Sequence, residues 1–216
     1  MKYIMDAQIQ QIKTWLGIGS INIFGLPMSG KDTVGVQLAE KLGAKFLSSG
    51  MIVRAMEKAT GQNITGNGKL MTSNVFYEWV LPYFEREDLW KYPLVLASIG
   101  RWSGEEDEVM SVAKNSGHTI RAAVVLQLSD QDVVERWEAA KLLGDRGLRA
   151  DDADPQVFQT RITEYHEKTL PVLQRYQELG LLVSVPANGT REQVLANVIE
   201  ALANFASHTN NFIPEL

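Results

Sequence analysis

The sequence predicts an α/β fold in which a parallel five-stranded sheet carries helices on both faces. Two observations predict it. Five apolar runs, 18–24, 44–47, 94–99, 120–128 and 181–185, alternate with amphipathic helical stretches, and strands alternating with helices give a parallel sheet. The longer runs are predominantly apolar, as central strands covered on both faces require.

The chain has 216 residues and 45% apolar composition, which suits a single domain with a full core. No second core or internal repeat is visible, so residues 1–216 read as one unit with two inserts. Residues 3–16 place Ile4, Ile9, Ile12 and Leu16 at near-helical spacing beside Trp15 and predict a helix ahead of the first strand. A helix follows from Lys31 to Leu42 and stops at Gly43. Residues 49–92 form a helical excursion between strands, with helices at about 51–59 and 73–85. Further helices are expected over 105–114, 130–143 and 191–205. Asp154 before Pro155 marks a helix start, N-cap then first turn. That helix extends to about Leu179, with a kink at Pro171.

The formal charge is −5, with acidic and basic residues interspersed. A nucleic-acid binder would present a basic face, so no nucleic-acid partner is expected. There is no Cys and there are three dispersed His, which excludes disulfides and argues against a thiolate or histidine metal site. The first ten residues lack a basic start followed by an apolar run, and no stretch is long enough to span a bilayer. Neither a membrane nor a leader is therefore expected, and the cytoplasm is the expected location. Oligomeric state is not legible.

Chemistry concentrates at Gly25-Leu26-Pro27-Met28-Ser29-Gly30-Lys31-Asp32-Thr33. It reads G-x-x-x-x-G-K-D-T between an apolar strand and an amphipathic helix, the junction at which a phosphate loop works. Backbone N–H groups of such a loop wrap a phosphate, and the helix N-terminus adds orphan donors and positive dipole. Position 32 is Asp where the common motif has a Ser or Thr that holds Mg²⁺. Asp32 is read either as a hard oxygen ligand for that ion or as a cap on the helix N-terminus.

In an open α/β sheet, ligands bind beyond the carboxyl ends of the strands. Those ends carry the phosphate loop, then Ser48, Ser49 and Arg54, then Ser98, Arg101 and Glu105, then Asp130 with Arg136, Arg146 and Arg149 further on. Arg161 can face the same cleft. A single Arg at any of these positions reads as a solvated surface charge. Their joint placement with Lys31 suits a ligand with several phosphates, because guanidinium forks bind phosphate oxygens in pairs. Phosphoryl transfer needs such positioning, charge neutralisation and exclusion of water rather than covalent help.

These residues resemble the adenylate kinase-like nucleoside monophosphate kinases with a short lid, over roughly residues 19–205. The loop is similar to the family's G-x-P-G-x-G-K-G-T, and Ser48–Arg54 to its S-T-G-D-M-L-R. Gly68-Lys69-Leu70-Met71 resembles G-x-L-V, Arg149-Ala150-Asp151-Asp152 the lid's R-x-D-D, and Arg161–Tyr165 its R-L-x-x-Y. The resemblance implies a three-layer P-loop NTPase fold with a nucleotide-binding insert at about 49–92 and a lid at about 144–154. It implies transfer of the γ-phosphate of ATP, with Mg²⁺, to a nucleoside monophosphate.

The implied donor site comprises Gly25, Met28, Ser29, Gly30, Lys31, Asp32 and Thr33, with Arg136, Asn188 and Gly189 toward the base. The implied acceptor site comprises Ser49, Arg54, Met71, Arg101 and Glu105. The implied catalytic cations are Lys31, Arg101, Arg146, Arg149 and Arg161; Asp32, which departs from the family loop, is the candidate metal ligand by its own chemistry.

The departures bear on function. The family's D-G-F-P-R-T becomes Ala97-Ser98-Ile99-Gly100-Arg101-Trp102, which alters the Walker B segment and removes an Asp that steadies Mg²⁺. The Gln that reads the acceptor adenine falls near Glu105. Met51 replaces an Asp and Met28 a loop Gly. A kinase with another small acceptor and a degenerate nucleotide-binding protein therefore remain alternatives.

Overall fold

The computed structural model describes residues 2–64, 68–143 and 154–209. Among them one parallel sheet holds β1 (Ser20–Gly25), β2 (Lys45–Ser48), β3 (Leu94–Ala97), β4 (Ile120–Gln127) and β5 (Leu182–Pro186), in the spatial order β2-β3-β1-β4-β5. The register pairs Ile21 with Val95 on one side and with Ala122 on the other. With β1 at the centre, the segments that follow β1, β3 and β4 leave the sheet along one edge.

Side chains alternate between the two faces, as a pleated strand requires. Ile21 and Ile23 of β1, with Val124 and Leu126 of β4, face a core covered by α1 (Lys2–Leu16), α2 (Lys31–Leu42) and α9 (Arg191–Thr209). Phe24, Leu96 and Ala123 face a second core. It is covered by α3 (Ser49–Thr60), α4 (Ser73–Trp79), α5 (Glu105–Asn115), α7 (Pro155–Glu164) and α8 (Leu170–Glu178). The remaining helix, α6 (Asp130–Leu143), follows β4. The N-terminal helix packs Ile12, Trp15 and Leu16 into the first core, and the Trp15 ring meets Phe205 of α9 edge-on at 5.9 Å.

Helix starts follow local chemistry. Ser129 and Asp132 exchange bonds at the start of α6, Asp132 N–H donating to Ser129 Oγ at 3.1 Å and Ser129 N–H to the Asp132 carboxylate at 3.0 Å. Asp154 accepts from Gln156 N–H at the start of α7. Thr190 and Gln193 form the equivalent box before α9.

Two expected helices are interrupted, each at a proline. The stretch 73–85 is α4 followed by a 3₁₀ turn, Leu81–Glu85. Pro82 lacks the N–H that would continue the α-helix and its ring would meet the carbonyl four residues back. The stretch 155–179 is not one kinked helix. A π-turn, Tyr165–Thr169, separates α7 from α8, and Leu170 N–H reaches Tyr165 O five residues back. The widened turn makes room for the Pro171 ring. β3 also ends two residues early, because Ser98 adopts φ +54° and turns the chain out of the sheet.

The loop after β3 is held from beneath by a buried polar residue. Asn22 stands on β1 fully buried; its Nδ2 donates to Ile99 O at 2.7 Å and its Oδ1 accepts from Ile99 N–H at 3.3 Å. An amide side chain satisfies both the N–H and the C=O of one residue where no strand continues. Asn22→Leu should leave both Ile99 groups buried and unpaired, and should cost about 2–4 kcal/mol in urea unfolding. Stability within about 0.5 kcal/mol of wild type would show that the pin is not needed.

Candidate functional site

A cavity of about 170 Å³ lies at the carboxyl edge of the sheet, where β1, β2 and β3 end. Gly25, Pro27, Lys31 and Asp32 form its phosphate-loop side. Gly25 has no room for a side chain, since a Cβ there would stand 2.6 Å from Ser29 Oγ. Gly30 enters α2 at φ +83° as its N-cap, so no side chain caps this helix and its first-turn N–H groups open toward the loop. Asp32 is therefore a first-turn residue rather than the cap, with its carboxylate at the positive end of the helix dipole. Met28 adopts φ +60° in the middle of the loop, a conformation that favours glycine and is carried here by a long side chain.

The insert supplies the facing wall. Ser49, Val53, Arg54 and Glu57 line it from α3; Ser49, Val53 and Glu57 stand four residues apart on one helix face, and Arg54 lies three before Glu57. Asn63, Lys69 and Met71 line it further along the chain. Arg101 comes from the loop after β3, and Arg161 and Tyr165 from the end of α7 and the π-turn. Ala97 and Ser98 line the floor. Five cations thus border one small cavity: Lys31, Arg54, Lys69, Arg101 and Arg161.

Other expected residues stand elsewhere. Arg136 donates to Met28 O at 3.3 Å and to Ala187 O, tying the phosphate loop to the turn that carries Asn188 and Gly189. That turn is exposed, and neither it nor Arg136 borders the cavity. Met28, Ser29, Gly30 and Thr33 shape the loop without lining this cavity. Arg146, Arg149 and all of the lid expected over about 144–154 except Asp154 lie outside the described residues.

Glu105 is buried and does not border the cavity. Its Oε2 accepts from Arg101 N–H at 2.8 Å and Trp102 N–H at 3.0 Å, and its Oε1 from Ser73 Oγ at 2.8 Å. The carboxylate is thus a clamp on the loop that presents Arg101. Beside it, Glu106 accepts from Gly104 N–H, and burial pushes its carboxyl above the usual range. Glu57 and Asn63 were not expected at the site; the signal for Glu57 was its position three residues after Arg54 on one helix face.

No protein-family model matches the chain. It is 30% identical over 187 residues to an adenylate kinase of Parasynechococcus marenigrum, covering 83% of this chain and 96% of that protein. The chain belongs to the adenylate kinase family. An adenylate kinase of Micrococcus luteus is 27% identical over 196 residues, 88% of this chain and 93% of that one. Among solved structures, a gluconokinase from Sinorhizobium meliloti has the same fold, with a TM-score of 0.61 over 90% of this chain and 97% of that chain at 19% identity. The P-loop kinase architecture therefore extends over nearly the whole of this family member. No helix among the described residues is long and apolar enough to cross a membrane.

Tyr165 reports on the edge of the site. Burial, with the nearby Asp130 carboxylate, raises its hydroxyl to about 12. The unfolded chain deprotonates near pH 10 while the folded one stays neutral, so stability present below pH 10 is lost as pH rises toward 12. Tyr165→Phe should flatten that part of the stability profile in alkaline urea titrations, and an unchanged slope would refute the assignment.

Proposed function

We propose that the protein is an ATP-dependent phosphotransferase that moves the γ-phosphoryl group onto a small anionic acceptor. The observation that carries this reading is the convergence of Lys31, Arg54, Lys69, Arg101 and Arg161 on one cavity at a phosphate loop. Lys31 and the loop's N–H groups hold donor phosphates. Arg54 and Arg101 face them across the cavity and suit an acceptor's anionic group. Arg161, with Arg146 and Arg149 of the lid segment, neutralises the group in transit. Arg136 and the Asn188-Gly189 turn frame the donor base.

The relatives are adenylate kinases, which makes a nucleoside monophosphate one acceptor class. The fold is shared with a gluconokinase, whose name implies a small non-nucleotide acceptor. The commitment of Glu105 to the loop favours an acceptor other than AMP, since that carboxylate has its oxygens bonded within the protein.

Mg²⁺ bound with a nucleotide needs only one or two protein carboxylates beside phosphate oxygens and water. Asp32 lines the cavity next to Lys31 and fits that requirement, whereas Ala97 supplies no donor. Asp32 would hold the ion, which would neutralise phosphate charge when bound. Among the described residues no cluster of three or more His, Asp or Glu offers another site. The same alanine favours a second reading, a degenerate protein that binds nucleotide without turnover.

A coupled assay over nucleoside monophosphates and small anionic acceptors, with calorimetry on ATP, tests the proposal. Wild type should turn over with at least one acceptor. Lys31→Ala should lower turnover by on the order of 10²-fold or more. Asp32→Ala should keep metal-free ATP binding but lose Mg²⁺-dependent turnover. ATP binding without transfer to any acceptor would instead support the degenerate reading.

A further inference from the structure

We propose that Arg136 is a positioning residue of the phosphate loop, acting through the Met28 carbonyl to hold that loop in a conformation its own sequence resists. This rests on the phosphotransferase reading above and adds a residue that prepares the donor site for phosphate. The loop turns tightly between β1 and α2: Ser29 N–H donates back to Leu26 O at 3.2 Å, across Pro27 and Met28. A turn of this kind accepts proline at its second position and calls for glycine at its third where that residue has positive φ. Here the third residue is Met28, at φ +60°. A side chain disfavours the left-handed conformation by about tenfold in population, and glycine does not.

Two contacts oppose that bias. The Met28 side chain is partly buried against the second core. Its carbonyl accepts from Arg136 Nη1 at 3.3 Å, and Nη2 of the same guanidinium donates to Ala187 O. Ala187 is fully buried and its N–H donates to Gln127 O at 3.0 Å, so the guanidinium is moored to the ends of β4 and β5. The planar fork of an arginine spans two carbonyls from different strand ends, and its charge strengthens both bonds.

Met28 does not line the cavity, but Lys31 follows it by three residues. Backbone N–H groups converge on a phosphate only while the loop residues keep their backbone angles. If Met28 left the left-handed region, the peptide groups on either side of it would turn, and the loop would have to be reordered at each binding event. Arg136 holds it ready before the phosphates arrive, which spares that ordering cost. Such a role is separable from contact with a base, because it acts equally on a ligand that has none.

Calorimetry with ATP and inorganic tripolyphosphate at one Mg²⁺ concentration tests this, since only ATP carries a base. Arg136→Met should weaken both probes by about tenfold. Arg136→Lys keeps the charge and loses the fork, so a loss of about threefold for both is expected, and it carries the test if the methionine variant does not fold. In a Met28→Gly background the left-handed conformation is free of strain, and there Arg136→Met should weaken tripolyphosphate by less than about twofold. A loss confined to ATP, or no loss for either probe, would overturn the proposal. So would an equal loss of tripolyphosphate affinity in the Met28→Gly background. In those cases Lys31-dependent binding of tripolyphosphate leaves the phosphotransferase reading standing, and only the role of Arg136 falls. If neither probe binds wild type, that reading falls and the proposal with it.

Discussion

The two hydrogen bonds between Asn22 and Ile99 connect the halves of this site. β1 delivers the phosphate loop three residues after Asn22, and the same residue anchors the turn that carries Arg101. A purely apolar β1 would leave the Ile99 N–H and C=O buried without this partner, because β3 has already turned away at Ser98. Burying an amide is favourable only when its partners are in place. Here the pairing is complete at Ile99, so the cost of a polar group in the central strand is offset by a fixed position for the loop.

Glu105 continues the same logic from the other side. Its carboxylate collects Arg101 N–H, Trp102 N–H and the Ser73 hydroxyl, and so binds the loop to the first turn of α4 in the insert. Trp102 adds a second link to the insert through Met71 and a third to the π-turn through Lys168. The segment between β3 and α5 is thus tied to the sheet, the insert and the α7–α8 junction. Such preorganisation places Arg101 without spending binding energy on ordering it.

Much of the architecture is legible in the chain because strand and helix periods are local properties. The five strands appear where predominantly apolar runs stand, and the phosphate loop lies between β1 and α2 as its glycines and lysine indicate. The misjudged elements have local causes with nonlocal outcomes. Pro82 and Pro171 announce interruptions, but whether a proline kinks a helix, ends it in a 3₁₀ turn or widens it into a π-turn depends on packing. Glu105 shows the same limit for a site residue. Its position suggests a ligand contact, and only the fold reveals that its oxygens face backbone donors.

The sequence by itself determined the sheet, the helix order, the phosphate loop and the set of cations, because these follow from periodicity, glycine spacing and residue chemistry. Tertiary structure decided which of those cations share one cavity and which neighbouring side chains bond instead to the protein's own groups. Arg54, Lys69, Arg101 and Arg161 come from four separate segments, and parallel strand order is what brings them to Lys31. Glu105, Trp102 and Arg136 carry equally suggestive side chains, yet their hydrogen bonds run to the protein's own backbone. Which groups border the cavity is a property of distances between residues far apart in the chain.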